Sequence, residues 1–229
     1  MPKTLILDVD EFGEIIRYRY VIQKDKERKK IEIGKKLDYP HFEDVVFNER
    51  MKEFMKLVLE KLKSGEKIDL LFVGNAGTGK TFSAKMICCE LGWNWVYING
   101  EMGRKKIIEI LKNVKDNSVI CIDEIHNLTD SVAEVIYPAI EYRYIGEGGE
   151  ETELKNIIFI GTTTEPEELP KPLLDRFFRV EFEEPDKEIL SEILRKQGVE
   201  NQVIDYLLNY TQNIRPVSYT HLRAHETSL

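Results

Sequence analysis

No apolar run in this sequence approaches the roughly 18 residues that a membrane span needs. Met1-Pro2-Lys3 opens no signal peptide either, so the expectation is a cytoplasmic protein with no membrane partner. Positive charge is also in short supply: 33 basic residues stand against 41 acidic ones, for a net charge of −8. A chain of that sign is not built to coat nucleic acid, and any DNA contact must come from a local patch. Cysteine is scarce. Cys88 and Cys89 adjoin on a helix-patterned stretch and Cys121 lies in an apolar strand, which speaks against a disulfide or metal site and for buried, reduced thiols. The remainder, 42% apolar and 32% charged, suits a globular fold with a sizeable core.

One stretch organises the chain. Gly74-Asn75-Ala76-Gly77-Thr78-Gly79-Lys80-Thr81 fits the phosphate-binding pattern G-x-x-x-x-G-K-[ST] at every fixed position. A short apolar run, Ile68–Val73, precedes it as a strand. Thr81–Leu91 follows with helical spacing, and Gly92 can stop that helix. Gly74, Gly77 and Gly79, with Thr78, let successive N–H groups turn inward around a phosphate, while the new helix points its positive end at the same charge. Lys80 would reach the β- and γ-phosphates, and the Thr81 hydroxyl would ligate Mg²⁺. The spacing predicts an ATP or GTP site.

The flanking chain alternates strands with helices. Before the loop, Met51, Phe54, Met55, Val58, Leu59 and Leu62 form one apolar helical stripe, with Asn48 as N-cap and Gly65 as stop. After it come a strand at Trp93–Ile98, an amphipathic helix at Arg104–Val114 and a buried strand at Val119–Asp123. Asp123 and Glu124 close that strand. An apolar strand ending in two acids is what a second phosphate-site motif requires: Asp123 holds Mg²⁺ and Glu124 polarises the attacking water. A helix over Asp130–Tyr142, kinked at Pro138, leads to a glycine-rich turn at Gly146–Gly149. A strand at Leu154–Ile160 then ends in Gly161-Thr162-Thr163-Thr164, whose hydroxyls would flank the γ-phosphate position. Arg176 follows a short helix at Pro170–Asp175, before a strand at Val180–Phe182 and helices at Lys187–Gln197 and Gln202–Tyr210. The pattern predicts an α/β fold, a doubly wound five-stranded parallel sheet flanked by helices, with a small helical lid. Residues 1–40 read as a β-rich appendage, with strands at Leu5–Val9 and Ile15–Ile22 before a charged tip at Lys24–Lys30. Residues 41–184 would be the nucleotide-binding domain and 185–216 a partial lid.

Taken together, the phosphate loop, the Asp-Glu strand, the polar end of the fourth strand, Asp175-Arg176-Phe177 and the lid resemble an AAA+ P-loop ATPase. Three stretches are more narrowly similar to the RuvB family of Holliday-junction branch-migration motors: Asp69–Leu91, Ile122–Leu128 running on to Ile136–Glu141, and Ile160–Phe177. The resemblance implies an ATP-hydrolysing, DNA-helicase-type motor of DNA recombination, with ATP and Mg²⁺ as cofactors. It would work as a homo-oligomeric ring, a hexamer, on DNA. Position by position it implies that Lys80 and Thr81 hold phosphate and Mg²⁺, and that Asp123 and Glu124 are the Walker B pair. Thr164 becomes the γ-phosphate sensor, with Thr163 as fallback, Arg176 the arginine finger acting on a neighbouring subunit, and Arg215 the lid's second sensor. A planar guanidinium suits the finger's task independently of the resemblance.

The sequence departs from that family at several points. Tyr142–Lys155 is shorter than the hairpin with which RuvB engages RuvA, Glu165 stands where RuvB has arginine, and Phe178 stands where it has glycine. A RuvA-type partner is therefore not carried over. Residues 217–229 read as an adapter-derived tail, so the chain is expected to be a fragment cut after the second sensor. Two alternatives stay open: an AAA+ unfoldase or chaperone, and a nucleotide-dependent loader or scaffold with slow turnover. The loop at Asn99–Lys106 lacks the aromatic residue that unfoldases use to grip peptides, and offers Arg104, Lys105 and Lys106, which suit phosphates.

Overall fold

Ile120, Cys121 and Ile122 are fully buried one after another, which only a strand covered on both faces permits. They belong to a five-stranded parallel sheet seen in a computed structural model. It describes residues 41–147 and 150–196, positions 199, 201, 204, 205 and 208, and the backbones of 4–9 and 15–21. The last two segments are strands β1 (Thr4–Val9) and β2 (Ile15–Val21), paired antiparallel with an irregularity at Asp8/Val9, in a compact unit separate from residues 32–216. The charged tip at 24–30, Arg215 and the tail at 217–229 lie outside the described residues.

Within the larger unit the chain runs α1 (Glu49–Lys63), β3 (Leu70–Val73), α2 (Lys80–Leu91), β4 (Asn94–Asn99), α3 (Arg104–Lys112), β5 (Ser118–Asp123), α4 (Asp130–Tyr142), β6 (Tyr144–Glu147), β7 (Glu150–Glu153), β8 (Ile157–Thr163), α5 (Lys171–Leu174), β9 (Phe178–Glu181) and α6 (Lys187–Lys196). The sheet order is β4-β5-β8-β3-β9. Side-chain alternation assigns each layer. Val119 and Cys121 pack with Leu70, Phe72, Ile158 and Ile160 against α1 and α2, while Ile120 and Ile122 pack with Leu71 and Phe159 against α3 and α4. The order also reverses the chain's direction of travel beside β3, and the carboxyl ends at such a switch point are where ligands bind. Val73 lies opposite Thr163, and Ile122 opposite Gly161, so the ends of β3, β8 and β5 open onto one crevice.

Asn48 caps α1 as expected, its side chain accepting the Met51 N–H at 2.7 Å, and Gly65 follows the helix at φ 91°. Gly92 ends α2 in the left-handed region. Two expectations shift. Strand β8 runs on through Thr163 instead of ending at Ile160, because flanking β3 and β5 pair with residues that look like turn material in isolation. The segment read only as a glycine-rich turn contains a hairpin, β6 paired with β7, anchored by buried Ile145 and Leu154. Helix α4 spans Asp130–Tyr142 as expected, with Pro138 inside it. Among the described residues no helix is long and apolar enough to cross a membrane.

Glu90, near the end of α2, clasps two elements that precede the sheet. Its Oε1 accepts the Phe42 N–H and faces His41 Nδ1, both at 3.0 Å, while Oε2 accepts from Lys63 of α1 at 2.9 Å. Partial burial pushes the Glu90 carboxyl upward, but the Phe42 N–H, Lys63 and His41 outweigh it and hold the group down to about 2. A carboxylate that titrates lower in the folded state than in the unfolded chain (about 4.3) contributes stability above that value. The contribution is lost as pH falls toward 2. Glu90→Gln should therefore flatten the decline of urea-denaturation stability across that interval; an unchanged slope would show that the clasp is not coupled to folding.

Candidate functional site

The phosphate loop leaves β3 under steric constraint. A Cβ on Gly74 would lie 2.3 Å from the Phe182 carbonyl oxygen, so only glycine passes there. The next residue fastens the loop to the chain beyond β9: Asn75 Nδ2 donates to Glu184 Oε1 at 2.9 Å. Gly77 and Gly79 sit at φ 87° and 94°, a region that glycine enters at little cost. Helix α2 then starts at Lys80 with no side-chain cap, leaving its positive end directed at whatever occupies the loop. Lys80 is buried and curls back, its Nζ donating to the Gly74 and Asn75 carbonyls. Burial pushes the Lys80 ammonium down from its usual range, and the nearby Glu124 and Asp123 carboxylates push it back up. An anion in the loop would offer that ammonium a stronger partner than two carbonyls.

Asp123 sits in a clamp of hydroxyls. Its Oδ1 accepts from Thr81 at 3.0 Å and from Thr162 at 2.5 Å, and its Oδ2 accepts from Tyr97 at 2.8 Å. Burial first, then the hydrogen bond to Asp123 and its charge, push the Tyr97 phenol up, so it stays a donor. Thr162 also accepts the Glu124 N–H at 3.2 Å. A carboxylate beside a threonine hydroxyl, with no nitrogen or sulfur among the donors, is the kind of set that Mg²⁺ takes. Of the clamp, Thr81 and Asp123 are legible in their motifs. Thr162 is among the threonines expected at the site, but its bond to Asp123 is not legible; nor is Tyr97, although it lies opposite Cys121 and so shares the face of β5 that carries Asp123.

Glu124 adopts φ 49°, uncommon for a residue with a side chain, and begins a 3-10 turn at Ile125–Asn127. Gly100 makes room for that backbone, since a Cβ there would meet the Glu124 carbonyl at 2.3 Å. The Glu124 side chain is partly exposed, yet its Oε2 is buried and has no hydrogen bond among the described residues; His126 Nδ1 lies 3.3 Å away. That ring nitrogen is also 2.9 Å from the Thr163 hydroxyl, which in turn accepts the Glu165 N–H at 3.0 Å. A carboxylate with an unsatisfied buried oxygen is poised for an incoming donor such as water. Thr163, the fallback sensor, is thus engaged, whereas the half-buried Thr164 hydroxyl bonds to none of the described residues. The sequence signalled neither His126 nor the Thr163 bond.

Arg176 is placed elsewhere. It follows α5 and pairs with Glu141 of α4 and the Pro172 carbonyl, none of which belongs to the phosphate site. Arg179 is exposed on β9 and lies 3.0 Å from Glu181. The candidate residues therefore divide into Gly74–Thr81, Asp123, Glu124 and Thr164 at the crevice, and Arg176 apart from it.

Residues 70–184 match the family described as "ATPase family associated with various cellular activities (AAA)". Among curated proteins the chain is 33% identical over 174 residues to the Holliday junction branch migration complex subunit RuvB of Lawsonia intracellularis. That alignment covers 69% of this chain and 51% of the relative. It is 36% identical over 149 residues to the RuvB of Rickettsia africae, covering 60% of this chain and 44% of the relative. Among solved structures it is similar to the Thermotoga maritima RuvB Holliday junction branch migration motor, with 28% identity and a TM-score of 0.58 over 70% of this chain and 52% of that one. The FIGL-1 AAA domain in complex with ADP shares the fold at TM-score 0.60, with 19% identity. The chain spans about half the length of the curated relatives it matches.

Proposed function

The chain belongs to the AAA family of ATPases, and on that footing we propose that it is an ATP-hydrolysing motor. It would act on DNA as a homo-oligomeric ring, a hexamer, in the manner of the RuvB proteins it is similar to. The observation that carries the reading is the convergence of Lys80, Thr81, Asp123 and Glu124 where β3, β8 and β5 end. Gly74, Gly77, Thr78 and Gly79 shape the loop around the phosphates, and Lys80 exchanges its two carbonyl partners for phosphate oxygens. Thr81 and Asp123 would hold Mg²⁺, which when bound spreads the charge of the β- and γ-phosphates. Glu124 accepts the proton of the attacking water, and His126 and the Thr162-bonded backbone keep its carboxylate in place. Thr164 reads the γ-phosphate, Arg215 reports to the lid, and Arg176 reaches the nucleotide of the adjacent subunit. Lys105 and Lys106, exposed at the start of α3, are suited to nucleic-acid phosphates.

Arg176 separates a ring-forming ATPase from a solitary one. Arg176→Ala and Lys80→Ala proteins should each be inactive, because one lacks the finger and the other the phosphate cation. Mixed, they should regain part of the wild-type rate, since an intact finger from a Lys80→Ala subunit then faces an intact loop. Mixed oligomers that stay silent would overturn the action between subunits.

A further inference from the structure

Two 3-10 turns lie beyond the carboxyl ends of adjacent strands: Ile125–Asn127 after β5 and Pro166–Glu168 after β8. A 3-10 turn stacks residue i over i+3. Glu165, at the cap of the second turn, thus shares a side with Glu168, whose N–H donates to the Glu165 carbonyl at 3.2 Å. One ring nitrogen of His126 and one carboxylate oxygen from each glutamate all lie within 4.8 Å of one another. Two carboxylates gathered this way repel each other, and no ion pair to either is seen among the described residues. The histidine is held in place. Its side chain is only 8% exposed, and its Nδ1 faces the Thr163 hydroxyl and the Glu124 carboxylate. A neutral ring that donates from Nδ1 to the Thr163 hydroxyl carries its lone pair on Nε2. Metal-ligating histidines are oriented in this way, with the second nitrogen hydrogen-bonded to an oxygen.

We propose that His126, Glu165 and Glu168 form a second cation site, distinct from the Thr81–Asp123 pair, that takes a divalent metal of the zinc class. One imidazole with two carboxylates suits such a metal better than Mg²⁺, which favours oxygen ligands and retains water. Three protein ligands leave a coordination position for solvent. Both glutamates are exposed, so rotation of their side chains closes the remaining gap to the bond lengths of about 2.0–2.2 Å that zinc makes with nitrogen and oxygen. Because the same imidazole touches Glu124, occupancy would also reach that carboxylate. This consequence rests on the proposed role of Glu124 as base; the site itself does not.

Titration calorimetry of the full, nucleotide-free chain with Zn²⁺, in excess Mg²⁺, tests the site. Wild type should take up zinc, and a Glu165→Gln/Glu168→Gln variant should bind it about 10²-fold more weakly, since disturbing even the outer shell of a metal site costs about 10–100-fold. Equal affinity in the two proteins would overturn the site, as would zinc binding that disappears only with Asp123→Asn. In Mg²⁺ alone the double variant should hydrolyse ATP at the wild-type rate, and added Zn²⁺ should slow wild type while sparing the variant. Equal inhibition of both would place zinc in the nucleotide site and overturn the assignment. The calorimetric arm requires no hydrolysis, so failure of the ATPase reading and failure of the metal site give different results.

Discussion

Glu124→Gln should leave ATP binding intact and lower hydrolysis by about 10²-fold or more, the scale expected for losing a general base. The amide keeps the size of the carboxylate and can keep a polar contact with His126. What it loses is the ability to take a proton from water. The oxygen at issue, Oε2, is buried without a hydrogen bond, so no other described group shares its task. Binding should survive because the hydrogen bonds of the loop, Lys80 and the Asp123 clamp do not involve this side chain. Fluorescent-nucleotide titration beside a phosphate-release assay distinguishes the two quantities. Normal turnover in the variant would remove Glu124 from the mechanism.

Arg143→Ala should destabilise the fold by about 3 kcal/mol, the lower end of the range for breaking a buried ion pair. Asp69, just ahead of β3, is 8% exposed. Its Oδ2 accepts from Arg143 Nη2 at 2.5 Å and its Oδ1 accepts the Phe159 N–H at 2.8 Å. The guanidinium also lies over the Phe159 ring, 5.2 Å from its centroid. Burial pushes the Asp69 carboxyl up, and Arg143 is the main influence opposing it. Without Arg143 the carboxylate is stranded or must take up a proton. The guanidinium keeps some contact with solvent, at 20% exposure, which places the cost at the lower end. Asp69→Asn in the Arg143→Ala background should recover part of the loss in urea denaturation, because it removes the stranded charge. A double variant no more stable than Arg143→Ala would show that the cost arises from lost packing.

These two cases mark how far the sequence could be read. Glu124 stands in a contiguous pattern, and the strand–loop–helix at Ile68–Leu91 is legible because its chemistry depends on neighbours along the chain. The Asp69–Arg143 pair joins residues that only the fold brings together. Along the sequence Asp69 is only one position of the strand run Ile68–Val73, and Arg143 only the residue after the helix at Asp130–Tyr142. The Asp123 clamp is hidden for the same reason: Tyr97, Thr162 and Thr81 come from β4, β8 and α2, which meet only through the sheet order. The β6–β7 hairpin escapes a periodicity reading because its strands are short and β7 is mostly glutamate. Its anchors, Ile145 and Leu154, are two apolar residues too far apart to form a pattern.

The contact between Gly74 and Phe182 has a mechanical consequence. The first residue of the phosphate loop rests directly on the backbone of the segment that leads to α6, and Asn75 is tethered to Glu184 in the same segment. The two stretches behave as a rocker pinned at one point. Close packing leaves little slack there, so a shift at Gly74 would have to be matched by residues 182–184. The loop and the chain beyond β9 are thereby in direct mechanical contact. Enlarging Gly74 would jam the rocker, and lengthening the segment after Phe182 would uncouple it.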